Sequence, residues 1–166
     1  MSAQADARWR IVLLLLGCAA LMSLPLPDWM VPFRPPLATM AVIYWTMMWP
    51  RQINLGSAWL VGLLLDVLQG DTLGQHAFSI TLVCFLTLRF YLQIRIFPLW
   101  QLTATVLALL CMEAFVLFWI DGMVGNPPVG LALLSQAVTG AVLWPVFMAM
   151  MDRIRERLET RNRAFA

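Results

Sequence analysis

The chain has 166 residues, of which 61% are hydrophobic and only 12% charged, with a formal net charge of +2 at pH 7. A soluble domain carries roughly 45–50% apolar and about 25% charged residues, so a water-soluble globular protein is excluded. The apolar runs cover nearly the whole length and leave no room for a second, aqueous domain. The mean hydropathy of +0.79 agrees.

A spanning helix needs about 20 predominantly apolar residues. Six stretches qualify in chain order: 9–27, 35–50, 53–69, 74–94, 99–120 and 128–151, followed by a basic tail over 152–166. The expected class is therefore all-α, a polytopic membrane protein of six transmembrane helices. The first stretch follows Arg8 and Arg10 and resembles a signal peptide, with Leu15-Leu16-Gly17-Cys18 loosely like a lipoprotein cleavage box. Its apolar run continues to Leu26 and further spans follow, so an uncleaved first helix is expected. Punctuation falls where the breaks are drawn: Pro25, Pro27, Pro32, Pro35, Pro36, Pro50, Gly70, Pro98, Gly122, Gly125, Pro127 and Pro128. The second and third stretches are short and joined only by Arg51 and Gln52, which leaves a re-entrant hairpin as the competing arrangement.

Arginine placement decides between them. All eleven basic residues are arginine. With six spans and a cytoplasmic N-terminus, ten of them fall on the inner side and only Arg34 on the outer, the distribution that the positive-inside rule requires. A hairpin that failed to cross would strand Arg51. Both termini are expected in the cytoplasm. Trp9, Trp29, Trp49, Trp100 and Trp119 fall near span ends, where amphipathic rings anchor. Ala58 with Gly62, and Ala137 with Ala141, have the small-residue spacing of close helix contacts. The tail carries Arg153, Arg155, Arg157, Arg161 and Arg163 against Asp152, Glu156 and Glu159. Such a segment rests on anionic lipid, at about 1 kcal/mol per basic residue, or docks a cytoplasmic partner.

Cys18, Cys84 and Cys111 all lie in apolar runs with no CxxC pair, and His76 is the only histidine. Neither a structural zinc site nor a disulfide framework is expected, and the thiols read as small hydrophobes. No cofactor is implied, and nothing points to nucleic acid.

The ionisable groups at membrane depth gather in the outer half. Asp66 falls about one turn, roughly 5 Å, below the outer end of the third span, and Glu113 about 10 Å below that of the fifth. Gly70 and Asp71 mark the turn between the third and fourth spans, and Asp71 is placed to cap the fourth helix. His76 opens that helix, Asp121 closes the fifth, and Arg34 precedes the second. A charge costs at least about 2.5–3.5 kcal/mol near the bilayer centre and is rarely left facing lipid. Asp66 or Glu113 is therefore expected to pair with Arg34 or His76 inside the bundle. The other uses open to them are a ligand pocket, a proton relay or acceptance of a partner helix.

Chemistry has little support. No serine stands in a GxSxG setting, one histidine cannot make an HExxH site, and Asp66 with Glu113 forms an acid pair only if their helices adjoin. An enzyme is not expected.

The stretch GLLLDVLQGDTLGQHAFSITLVCFL, with Arg89 and a short basic loop at Pro98 after it, resembles the rod shape-determining MreD family of membrane proteins. The shared features are Gly62, Asp66, Leu73, Gly74 and His76, in the form G-x3-D-x6-LG-x-H, together with chain length, the arginine-flanked first helix and the charged tail. The resemblance implies a non-enzymatic scaffold of bacterial wall elongation. MreC would be its direct partner. MreB, a glycosyltransferase of the shape, elongation and division (SEDS) class and a class B penicillin-binding transpeptidase would form the wider complex. It also implies a fold similar to the substrate-binding subunits of energy-coupling-factor transporters. Gly62, Asp66, Gly70, Asp71, Gly74, His76 and Glu113 are the candidate structural and partner-binding residues. A small-molecule-binding transporter subunit is the alternative.

Overall fold

The computed structural model describes the chain except residues 1, 23, 25, 26, 28, 29, 126–129, 165 and 166; the side chains of 2–10, 158 and 161–164 are also outside the description. Pro25, Trp29, Pro127 and Pro128, and the side chains of Arg8, Trp9, Arg10, Arg161 and Arg163, thus lie outside the described residues. The described backbone is helical and contains no strand. Six α-helices follow in order: α1 Ser2–Met22, α2 Leu37–Met48, α3 Leu55–Gln69, α4 Gln75–Arg95, α5 Leu99–Val124 and α6 Gly130–Ala164, with a 3-10 turn at Val31–Phe33 ahead of α2. These are the six expected helices, within a few residues except where α1 and α6 reach beyond the apolar stretches. The chain is an all-helical membrane protein.

Only α4, α5 and α6 are long and apolar enough among the described residues to cross a bilayer unaided. The second helix has 12 residues, about 18 Å at 1.5 Å per residue, against a hydrocarbon core near 30 Å. Its composition explains how it survives there. Every residue from Ala38 to Met47 is buried, so α2 is a helix wrapped by helices. Tyr44 and Trp45 meet edge to face with ring centroids 5.3 Å apart, and Trp144 of α6 is equally enclosed. The expected anchors Trp100 and Trp119 remain exposed.

Packing follows sequence pattern. On α1, Ile11, Leu15 and Ala19 recur every fourth residue and form its buried stripe. Asn54 opens α3 with a reciprocal capping box: its side chain accepts from the Ser57 amide at 2.9 Å, and the Ser57 hydroxyl accepts from the Asn54 amide at 3.1 Å. The pairs α3–α4 and α5–α6 form the most extensive interfaces, while α2 bridges α1, α4 and α6. Buried Ala137 and Ala141 flank Gly140, where an added Cβ would lie 2.8 Å from Leu110 Cδ1 and 3.0 Å from Pro36 Cδ. Small residues therefore do bring α6 against α5 and the start of α2.

Hydrogen bonds define two ends of the bundle. One holds the α3–α4 turn, the last turns of α1 and α5, and the starts of α2 and α6; we call it the turn end. The other holds the α2–α3 and α4–α5 connections and the far half of α6. There, the Tyr44 hydroxyl donates to Asp152 at 2.5 Å and Arg155 Nη1 lies 2.8 Å from Met48 Sδ. Helix α6 runs without a break through residue 152 into the basic segment. Arg155 pairs with Asp152 and Glu159, each at 3.6 Å, while Arg153 and Arg157 are exposed.

Helices α3 and α4 meet backbone to backbone at Gly62. A Cβ there would fall 2.6 Å from both the His76 carbonyl oxygen and the Ala77 amide nitrogen, and also against Ala77 Cα. Backbone atoms cannot yield as a flexible side chain can. Gly62→Ala is expected to destabilise the protein by about 1–3 kcal/mol, the usual range for overpacking. Gly17→Ala, with nothing within 4 Å of its new Cβ, should leave thermal unfolding in lipid nanodiscs essentially unchanged.

Candidate functional site

The turn end is built around one carboxylate. Helix α3 stops at Gly70, whose φ of 72° places it in the left-handed region, and the Gly70 and Asp71 amides both return to the Asp66 carbonyl, at 3.0 and 3.1 Å. Helix α4 starts after Gly74, also left-handed at φ 99°. The first amides of any helix lack intrahelical partners, and Asp66 supplies them. Its Oδ2 accepts from Gly74 N at 2.8 Å and Ala77 N at 3.3 Å, and its Oδ1 accepts from His76 N at 2.8 Å. The His76 ring completes the set, with Nδ1 3.0 Å from Oδ1. Asp66 is fully buried.

This corrects one expectation. Asp71 does not cap α4; its exposed carboxylate lies 3.8 Å from His76 Nδ1, and Gly74 at the cap position has no capping side chain of its own. Local capping rules consider only residues next to the helix start. Here the antiparallel α3–α4 pairing delivers an aspartate from eight residues before Gly74, and the bare backbone at Gly62 lets it come close enough.

Beside the turn lies a cavity of about 310 Å³, lined among others by Arg34, Thr39, Gln75, His76, Glu113 and Asp121. Glu113 is 4% exposed and accepts the Thr39 hydroxyl at 2.6 Å. Gln75 Nε2 donates to Asp121 at 3.0 Å. Arg34 pairs with neither buried carboxylate and instead donates to the carbonyls of Leu21 and Leu24, at 3.2 and 2.8 Å. Of the pairings expected, Asp66 with His76 forms. Asp66 and Glu113 are not joined as an acid pair: the first is committed to α4 and the second to α2.

Sequence reasoning missed Thr39, Gln75, Tyr44 and Gln136. Thr39 and Tyr44 are single polar residues in an apolar stretch. The available signal was that a helix too short to cross alone must be buried, and buried polar groups need partners. Gln136, on the first turns of α6, donates to the Val31 carbonyl at 3.1 Å.

With this geometry in place, comparison with known proteins is decisive. The family model of the rod shape-determining protein MreD matches residues 4–154. The chain belongs to the MreD family. A curated relative, Rod shape-determining protein MreD of Haemophilus influenzae, is 24% identical over 139 residues, covering 82% of this chain and 86% of that protein. No solved structure matches, so the expected likeness to energy-coupling-factor subunits gains no support there. Membership assigns the protein to rod-shape determination. The MreD-like motif read from the sequence maps onto one physical object, the turn in which Gly62 and Asp66 of α3 hold Gly74 and His76 at the start of α4. Leu73, the remaining motif residue, projects from it and is 69% exposed.

Removing the Asp66 carboxylate leaves three amides and an imidazole without their acceptor in apolar surroundings. Loss of one member of a buried charged network typically costs about 3–5 kcal/mol. Asp66→Ala is expected to fall in that range and Asp66→Asn, which keeps one acceptor oxygen, clearly below it. Asp71→Ala should change the unfolding midpoint in nanodiscs little.

Proposed function

We propose that this protein is a non-enzymatic scaffold of the bacterial wall-elongation complex, seated in the inner membrane with both termini in the cytoplasm. MreC is its direct partner in this reading, and MreB, the SEDS-class glycosyltransferase and the class B transpeptidase are the wider assembly it serves. Family membership supports the setting. One observation carries the mechanism: the buried hydrogen-bond system of Asp66 is spent on holding a turn that offers Leu73 to the outside, between two left-handed glycines.

An immobilised apolar residue on a short rigid loop suits recognition, because little conformational entropy is lost when a partner covers it. Orientation follows from charge. Arg51, Arg89 and Arg95 belong to the tail end with Arg153, Arg155 and Arg157, and Arg34 belongs to the turn end. The positive-inside rule then puts the turn on the periplasmic side, within reach of a single-span partner's juxtamembrane segment. The tail, stiffened by the Arg155 ion pairs, faces cytoplasmic components and anionic lipid.

Two experiments test this reading separately. Leu73→Glu alters an exposed side chain, so the protein should insert and unfold as before while recovery of MreC falls several-fold and cells lose rod shape. Full recovery and normal shape would remove the turn from the interface. With the three native cysteines replaced, Thr160→Cys should react with a membrane-impermeant maleimide only after the inner membrane is opened. Labelling in intact spheroplasts would reverse the topology.

A further inference from the structure

The scaffold reading makes no use of the 310 Å³ cavity at the turn end, in whose wall polar side chains stand among apolar ones. Its two buried side chains with unspent capacity, Gln75 and Glu113, both offer an acceptor oxygen. Gln75 is 6% exposed. Its amide orientation is set by Asp121, whose ionised carboxylate can only accept, so Nε2 faces Asp121 and Oε1 is left over. Among the described residues Oε1 has no hydrogen-bond partner. Glu113 gives one oxygen to Thr39 and makes no further hydrogen bond among the described residues. Of the cations around the space, His76 turns Nδ1 to Asp66 and Arg34 turns Nη2 to two backbone carbonyls, so part of the donor capacity of each is already used.

The carboxylates around the space are Glu113 and Asp121 of α5 and Asp71 of the turn; the cations are Arg34 and His76. Unused acceptors beside carboxylates in a weakly polar setting call for a ligand that brings donors and positive charge. Apolar side chains of Leu65, Leu110 and Leu117 complete the walls and suit a short aliphatic body. The volume is at the small end of ligand pockets, which run about 300–1,000 Å³.

We propose that this cavity binds a small water-soluble amine, its ammonium group held by the Glu113 carboxylate and the Gln75 side-chain carbonyl. The inference is independent of which partner the turn engages. Occupancy ties α2, α4 and α5 together at one point, so the ligand stabilises the whole turn end when it binds.

The test uses the full chain in lipid nanodiscs, at constant ionic strength, with three matched probes: aminobutanol, butanediol and hydroxybutyrate. Aminobutanol should raise the unfolding temperature saturably, and the neutral and anionic probes should not. Gln75→Leu should raise the half-saturating concentration of aminobutanol by about tenfold or more, the value of a hydrogen bond to a charged group. Glu113→Gln, which keeps the shape and an acceptor oxygen but removes the charge, should raise it by a similar factor. If the leucine variant has no unfolding transition, the Glu113→Gln variant decides: weaker binding supports the site, and equal or tighter binding overturns it. Equal shifts from aminobutanol and butanediol, or no shift from any probe, mean that the cavity holds water only, and the proposal fails.

Discussion

The hydrogen bonds from the first amides of α4 to the buried Asp66 carboxylate are the constraint on which the turn end depends. In water the open amides of a helix start are solvated at little cost. Within a bilayer each unsatisfied backbone group costs several kcal/mol, so a helix that begins beneath the surface must find acceptors in the protein. A carboxylate also suits the positive end of the helix dipole. By using a residue of the preceding helix, the chain joins two helices with one side chain and fixes the turn between them. The positions of Leu73 outside and of Gln75 and His76 inside both follow from that bond set.

The short helix α2 plays the corresponding part in the middle of the bundle. Too short to cross by itself and too buried to meet much lipid, it holds its neighbours at both ends. Thr39 donates to Glu113 of α5 near the turn end, and Tyr44 donates to Asp152 of α6 near the tail end. Close contacts at Gly62 and Gly140 bring α3, α4, α5 and α6 in around it. In lipid, where apolar burial gives no net drive between helices, such packing and interhelical hydrogen bonds provide the association energy. The result is a helical body tied together at both ends through α2.

The name of the MreD family ties its members to the shape of rod-like cells. A protein with short connections and a basic extension of its last helix has few places to meet partners. The turn with Leu73 at one end and the arginine-bearing end of α6 at the other face opposite ways. In the scaffold reading, a fixed body of this kind links a periplasmic contact to a cytoplasmic one without any moving part. The polar cavity lies directly behind the turn, sharing His76 and Gln75 with it, so whatever fills it also stiffens the turn.

Hydropathy, proline and glycine punctuation and arginine bias were enough to place six helices and to sort the charges between two ends, because those signals are local and the bilayer imposes them residue by residue. The motif around Asp66 was legible through its resemblance to the MreD family. What Asp66 does was not, since its partners start eight residues away on another helix and only the α3–α4 packing brings them into reach; the local rule pointed to Asp71 instead. Thr39 with Glu113, Tyr44 with Asp152 and the spare oxygen of Gln75 are likewise products of helix arrangement. Composition along the chain determined that this protein lives in a membrane, and three-dimensional packing alone decided which of its few polar groups are spent on holding it together and which keep an unused oxygen.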